Sequence, residues 1–178
     1  KAGSMTITFT SSNDDLVGNP TVVLKNTASN TEIGSATFVS DDLGADYIYS
    51  FTILDEHVNG LMDITVTGQA DNSEVCSVGS SIATARIDTQ PPAVSASYSP
   101  LSPTTDDTVT VTGTGADINK DAAQSGIKEV SVYVDDVLRN TCAESPCTYL
   151  SSYSSGTHTY YAVTTDVAGN SNQGLSAE

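Results

Sequence analysis

Residues 127–134 read IKEVSVYV. Val130, Val132 and Val134 take every second position, with Ser131 and Tyr133 between them. Side chains on a strand point to alternate faces, so from Val130 onward one face is apolar and the other polar. A segment buried on one side and wet on the other belongs in an antiparallel sheet that covers a core.

Outward from this strand the same period of two recurs along the chain, with no convincing helical stripe. In the first half it picks out MTITFT (5–10), TVVLKN (21–26), IGSATFV (33–39), DYIYSFTI (46–53), LMDITVTG (61–68) and SIATARI (81–87). Turn-forming stretches such as NDDLVGNP, DDLGA and HVNG separate them. In the second half it picks out AVSASYS (93–99), DTVTVTGTG (107–115), VLRNT (137–141), CTYL (147–150) and THTYYAVTTD (157–166). The last of these shows no clearly apolar parity. Between the halves stands DTQPP (88–92), where paired prolines interrupt strand pairing and stiffen the backbone. The fold class predicted is all-β, as two tandem β-sandwiches over residues 1–89 and 90–178. A unit of about 90 residues buries roughly 60–65% of its unfolded surface, enough for a modest core.

The 178 residues hold 22 acidic and 6 basic side chains, a net charge of −16. Without a Lys/Arg cluster to neutralise phosphates, nucleic acid is excluded as a partner. No apolar run is long enough for a spanning helix, so direct membrane insertion is not expected. No signal-peptide pattern is present, and a mature fragment of a longer secreted chain would read this way.

Cys142 and Cys147 bracket AESP, a turn between strand-like segments, and two cysteines across a tight hairpin can meet disulfide geometry. Half of a zinc site is the rival, but there is no second Cys pair and neither His57 nor His158 has ligand spacing. The disulfide is the stronger reading, and it implies an oxidising, extracellular or cell-surface location. Cys76 is left over, and a partly buried free thiol is its plainest role.

SGIKEVSVYVDD (125–136), CAESPCTYL (142–150) and GTHTYYAVTTDVAGN (156–170) resemble the prokaryotic Ig-like domains of long extracellular surface proteins. Asp136 stands where Gly is common in that pattern. The first half resembles a related Ig-like type through TITFTSS, GNPTVVL, DYIYSFTI and GLMDITVTG, and RIDTQPP matches the junction such arrays use before the next repeat. Its QADNS (69–73) departs from the D-x-A-G-N close. The resemblance implies that the two tandem β-sandwiches are immunoglobulin-like and serve as a non-catalytic spacer, stalk or adhesin repeat, with neighbouring domains of the same longer chain as partners. The alternative is an adhesion or carbohydrate-binding module that contacts a host or cell-surface ligand directly. Tyr133, Tyr149, Tyr153, Tyr160 and Tyr161 are the aromatic residues such a module could present, although strand tyrosines are more often packing.

Calcium is the one cofactor the residues suggest. Asp117-x-Asn119-x-Asp121 has the alternate oxygen spacing with which calcium loops begin. Ala122 then occupies the position an EF-type loop reserves for Gly, and Lys128 the position of its bidentate Glu. A site would therefore need help from Asp166, Asp106 or Asp107, and otherwise the segment is an acidic loop. Asp166 in DVAGN reads first as a turn-former and only second as a ligand. Asp88, at the junction, is a further weak ligand. No enzyme is expected. Neither histidine has a triad context, and no phosphate-binding glycine loop occurs. Lys25 is the candidate for a self-formed Lys–Asn isopeptide bond, with no acidic partner identifiable.

Overall fold

The computed structural model describes residues 3–10, 16–42, 46–54, 57, 59–69, 75–77, 83–101, 108–118 and 125–175. The chain divides between Thr89 and Gln90 into two compact units. Asn119, Asp121, Asp106 and Asp107, named above as possible ligands, lie outside the described residues. All elements among the described residues are strands, and no helix is long and apolar enough to cross a membrane.

The first unit contains β1 (Gly3–Thr10), β2 (Thr21–Asn26), β3 (Glu32–Ser35), β4 (Thr37–Asp42), β5 (Asp46–Ile53), β6 (Gly60–Gln69), β7 (Val75–Ser77) and β8 (Ala83–Ile87). They form a three-stranded sheet, β1-β5-β4, and a second sheet in which β3-β2-β6 is extended by β7 and β8 along the far edge of β6. The inward positions are those the period selected. Val22 and Leu24 of β2, Met62, Ile64 and Val66 of β6, and Tyr47, Tyr49 and Phe51 of β5 are buried in one core. Phe9 stacks on Tyr47 at 5.2 Å and on Tyr49 at 5.8 Å, and Phe38 meets Tyr49 edge-on at 5.6 Å. The Tyr49 hydroxyl donates to the carbonyl of Pro20, giving the polar end of a buried ring a partner.

The segment read as one strand, IGSATFV, is two strands in different sheets. β3 pairs with β2, the Ala36 amide donates to the Val22 carbonyl at 2.8 Å, and β4 then pairs with β5. The alternation of two continues through the crossing, so periodicity alone does not reveal it. Crossing here carries Phe38 to the ring of Tyr49. SIATARI is described only from Ala83, and the three-residue β7 was not anticipated.

The second unit contains β9 (Ala93–Ser99), β10 (Thr108–Ala116), β11 (Ile127–Val134), β12 (Val137–Cys142), β13 (Cys147–Ser152), β14 (Tyr160–Asp166) and β15 (Ser171–Gln173). A three-stranded sheet, β13-β10-β9, packs on a four-stranded one, β12-β11-β14-β15. Seven antiparallel strands split in this way make an immunoglobulin-like sandwich. Val130, Val132 and Val134 are buried against Val111 and Cys147, with Tyr98, Tyr149, Tyr153 and Tyr160 around them. Burying each such valine contributes about 1.5–3 kcal/mol.

This core is thin because β10 presents glycine at two inward positions. A Cβ on Gly113 would lie 2.8 Å from Ala162 Cβ, and one on Gly115 would lie 2.5 Å from both Thr164 Cγ2 and Oγ1. β14 begins at Tyr160, three residues later than the segment THTYYAVTTD read from the sequence. His158 and Thr159 instead turn toward the β11–β12 hairpin.

Candidate functional site

At one end of the second unit, β14 finishes in DVAGN. The Asp166 side chain is fully buried there. Its Oδ1 accepts from the Asn170 amide and its Oδ2 from Asn170 Nδ2, both at 2.8 Å. The Asp166 amide donates back to the Asn170 carbonyl at 3.0 Å, and the Gly169 amide to the Asp166 carbonyl at 3.1 Å. Gly169 sits at φ +87°, a conformation that glycine reaches without strain. These four hydrogen bonds are a sufficient reason for Asp, Gly and Asn at their positions.

The two described ends of the acidic segment, Asp117 and Ser125–Gly126, meet at the same turn. Asp117 Oδ2 accepts from the Gly126 amide at 2.8 Å, which closes the loop between β10 and β11. The Gly126 carbonyl then accepts from the Val167 amide at 2.9 Å, and Ser125 Oγ from the Ala168 amide at 3.3 Å. Asp117 and Asp166 thus belong to one end of the unit, linked through Gly126 and Val167. Among the described residues, no three His, Cys, Asp or Glu side chains group as metal ligands would. Asp88 is buried where β8 ends, and beside it Asn59 Oδ1 accepts from the Thr89 amide at 2.8 Å and from its hydroxyl at 3.0 Å.

Cys142 and Cys147 are joined in a disulfide. It connects β12 of the four-stranded sheet to β13 of the three-stranded sheet, and so ties the two layers together. Around it, Asn140 Nδ2 donates to the Thr148 carbonyl at 2.7 Å, and the Gly115 amide donates to Ser145 Oγ at 2.9 Å. A loop this short constrains the unfolded chain little, so cleavage is expected to cost about 2 kcal/mol. Chemical denaturation of protein carrying Cys142→Ser and Cys147→Ser measures this, and the loss should fall on the second unit alone.

The two histidines do different things. His57 Nδ1 accepts from the Leu54 amide at 3.1 Å, and its ring stacks on Phe51 at 5.3 Å. It is a turn residue covering a core aromatic. His158 Nδ1 lies 2.8 Å from Asp135 Oδ2, a pair that sequence spacing did not reveal because the partners are 23 residues apart. Of the tyrosines, Tyr149, Tyr153 and Tyr160 pack on the core. Tyr133 and Tyr161 face each other across β11 and β14 on the outer side of the sheet, stacked at 4.7 Å with rings 6° from parallel. Leu138 continues this row on β12 and is 51% exposed. The side chain of Cys76 lies outside the described set.

Comparison with solved structures gave a match to the fibronectin(III)-like modules of CbhA from Clostridium thermocellum. The match has 16% identity and a TM-score of 0.42, over 97% of this chain and 82% of that one. No family model matches the sequence, and the search of curated proteins gave no match. A likeness that distant carries no weight here, and the fold rests on the strand order above.

Proposed function

We propose that this chain is a non-catalytic structural segment of a larger secreted or cell-surface protein, one that spaces or presents neighbouring domains. The observation that carries this reading is where the chemically able side chains sit. Asp166, Asp117, Asp135 and His158 close turns, and Cys142 and Cys147 join the two sheets. The disulfide supports an oxidising compartment. The resemblance of SGIKEVSVYVDD and DVAGN to prokaryotic Ig-like repeats supports a place in a tandem array.

Calcium is an addition to this proposal. Asp117, with Asn119 and Asp121, would supply oxygens in the segment whose end at Gly126 bonds to the Asp166 turn, and an ion there would stiffen the segment. Calorimetric titration of chelator-treated protein tests it. An absence of heat up to millimolar calcium removes the ion and leaves the spacer standing.

A second reading, direct ligand contact, is favoured by the Tyr133–Tyr161 stack on an outer face. Screening the intact chain on glycan and matrix-protein arrays separates the two. A spacer gives no retention. Retention that Tyr133→Ala and Tyr161→Ala abolish would replace the spacer with an adhesion module.

A further inference from the structure

The His158 ring sits between two acceptors. Nδ1 faces Asp135 Oδ2 at 2.8 Å, and Nε2 faces the Ser154 carbonyl oxygen at 3.1 Å. A neutral imidazole carries one N–H and one lone pair, so it satisfies one of these contacts and opposes the other. The imidazolium donates to both. We propose that His158, Asp135 and the Ser154 carbonyl form a proton-operated clasp, which ties the β13–β14 connection to the β11–β12 turn when the ring is doubly protonated and lets go when one proton leaves.

The turn is shaped to hold the carboxylate. Asp135 and Asp136 adopt φ values of +54° and +60°, the left-handed region where a two-residue hairpin favours Asn-Gly. The Asp135 amide donates to the Thr159 carbonyl at 2.9 Å, and the Thr159 amide returns a bond to Asp135 Oδ1 at 3.1 Å. One carboxylate thereby bridges the Thr159 backbone and the His158 ring. The Tyr153 ring lies 5.0 Å from the imidazole, on the segment that the clasp secures.

The hydrogen bonds around the ring favour the closed form. The Asp135 hydrogen bond, followed by the Ser154 carbonyl, raises the His158 pKa above its ordinary 6.5. The same bond lowers Asp135 below 3.8, helped by the Thr159 amide and the Arg139 cation on β12. Burial pushes the Tyr153 phenol up, with Tyr149 and Asp135 adding and Arg139 opposing. The stabilisation from His158 is therefore complete below its unfolded pKa and is lost as pH rises through its raised folded value. The stabilisation from Asp135 is complete above its unfolded pKa and is lost as pH falls through its lowered one. The clasp holds between these limits. His158 is 31% exposed and Asp135 41%, so solvent can exchange the proton without unfolding the sandwich.

NMR on the intact chain tests the proposal. The His158 ring protons should titrate above the ordinary value and move back toward it in Asp135→Asn, a change the positive-φ turn accommodates. Amide exchange at Thr159, corrected for its intrinsic pH dependence, should quicken severalfold as pH passes the His158 midpoint. In His158→Gln it should show no such step. A His158 midpoint at or below 6.5, or Thr159 protection that does not change across the midpoint, would overturn the clasp.

Discussion

Gly115→Ala is expected to destabilise the second unit by about 3 kcal/mol, the upper end of what overpacking a core costs. The added Cβ would sit 2.5 Å from two atoms of Thr164, on the strand that packs directly opposite. Thr164 is fully buried and cannot swing aside. Relief requires the two sheets to part, and that loosens Val130 and Val132 as well. The same pair supplies its own control. Thr164→Ala removes both clashing atoms, along with a hydroxyl that has no hydrogen-bond partner and gains nothing from burial. The double variant should therefore recover most of the loss, and a double-mutant cycle by denaturant unfolding reads the coupling directly. Gly115→Ala with an unchanged midpoint would mean that β10 and β14 do not approach this closely.

Asp166→Ala is expected to cost about 3 kcal/mol, because it strands buried donors that had a charged acceptor. The Asn170 amide and side chain lose Oδ1 and Oδ2 together. Val167, whose amide bonds to the Gly126 carbonyl, then loses the anchored turn that presents it. Asp166→Asn should cost about 1 kcal/mol, since its carbonyl still accepts from the Asn170 amide. Hydrogen exchange in the two variants separates the roles. In Asp166→Ala, protection should fall at Val167 and Asn170 before it falls in the strands. A turn held by other means would leave Asp166→Ala as stable as the parent.

The strands were readable in the sequence because single-sided burial prints a period of two, and TVVLKN, DYIYSFTI, AVSASYS and IKEVSVYV matched β2, β5, β9 and β11 residue for residue. β14 had no legible inner face for a physical reason. Its inward positions are Tyr160, Ala162, Thr164 and Asp166, so after the tyrosine one is small and two are polar. Facing glycines on β10 make the small residues necessary, and the turn makes Asp necessary. Neither cause is visible within the strand itself. The β3–β4 crossing was hidden because alternation survives a change of sheet. The role of Asp166 was legible from local turn chemistry, in which Asp, Gly and Asn each have a backbone reason to be there. The His158–Asp135 contact depends on a hairpin and a loop meeting in space, which spacing along the chain does not encode.

Two separately packed sandwiches, β1–β8 and β9–β15, underlie the mechanical role proposed for this chain. Force spectroscopy on the intact chain, tethered at its two ends, tests this most directly. Two distinct unfolding events are expected, each lengthening the chain by roughly 250–300 Å, the reach of about 90 extended residues less the folded span. In Gly115→Ala, one event should move to lower force while the other stays in place. A single event releasing the whole length, or smooth extension without a force peak, would contradict the account.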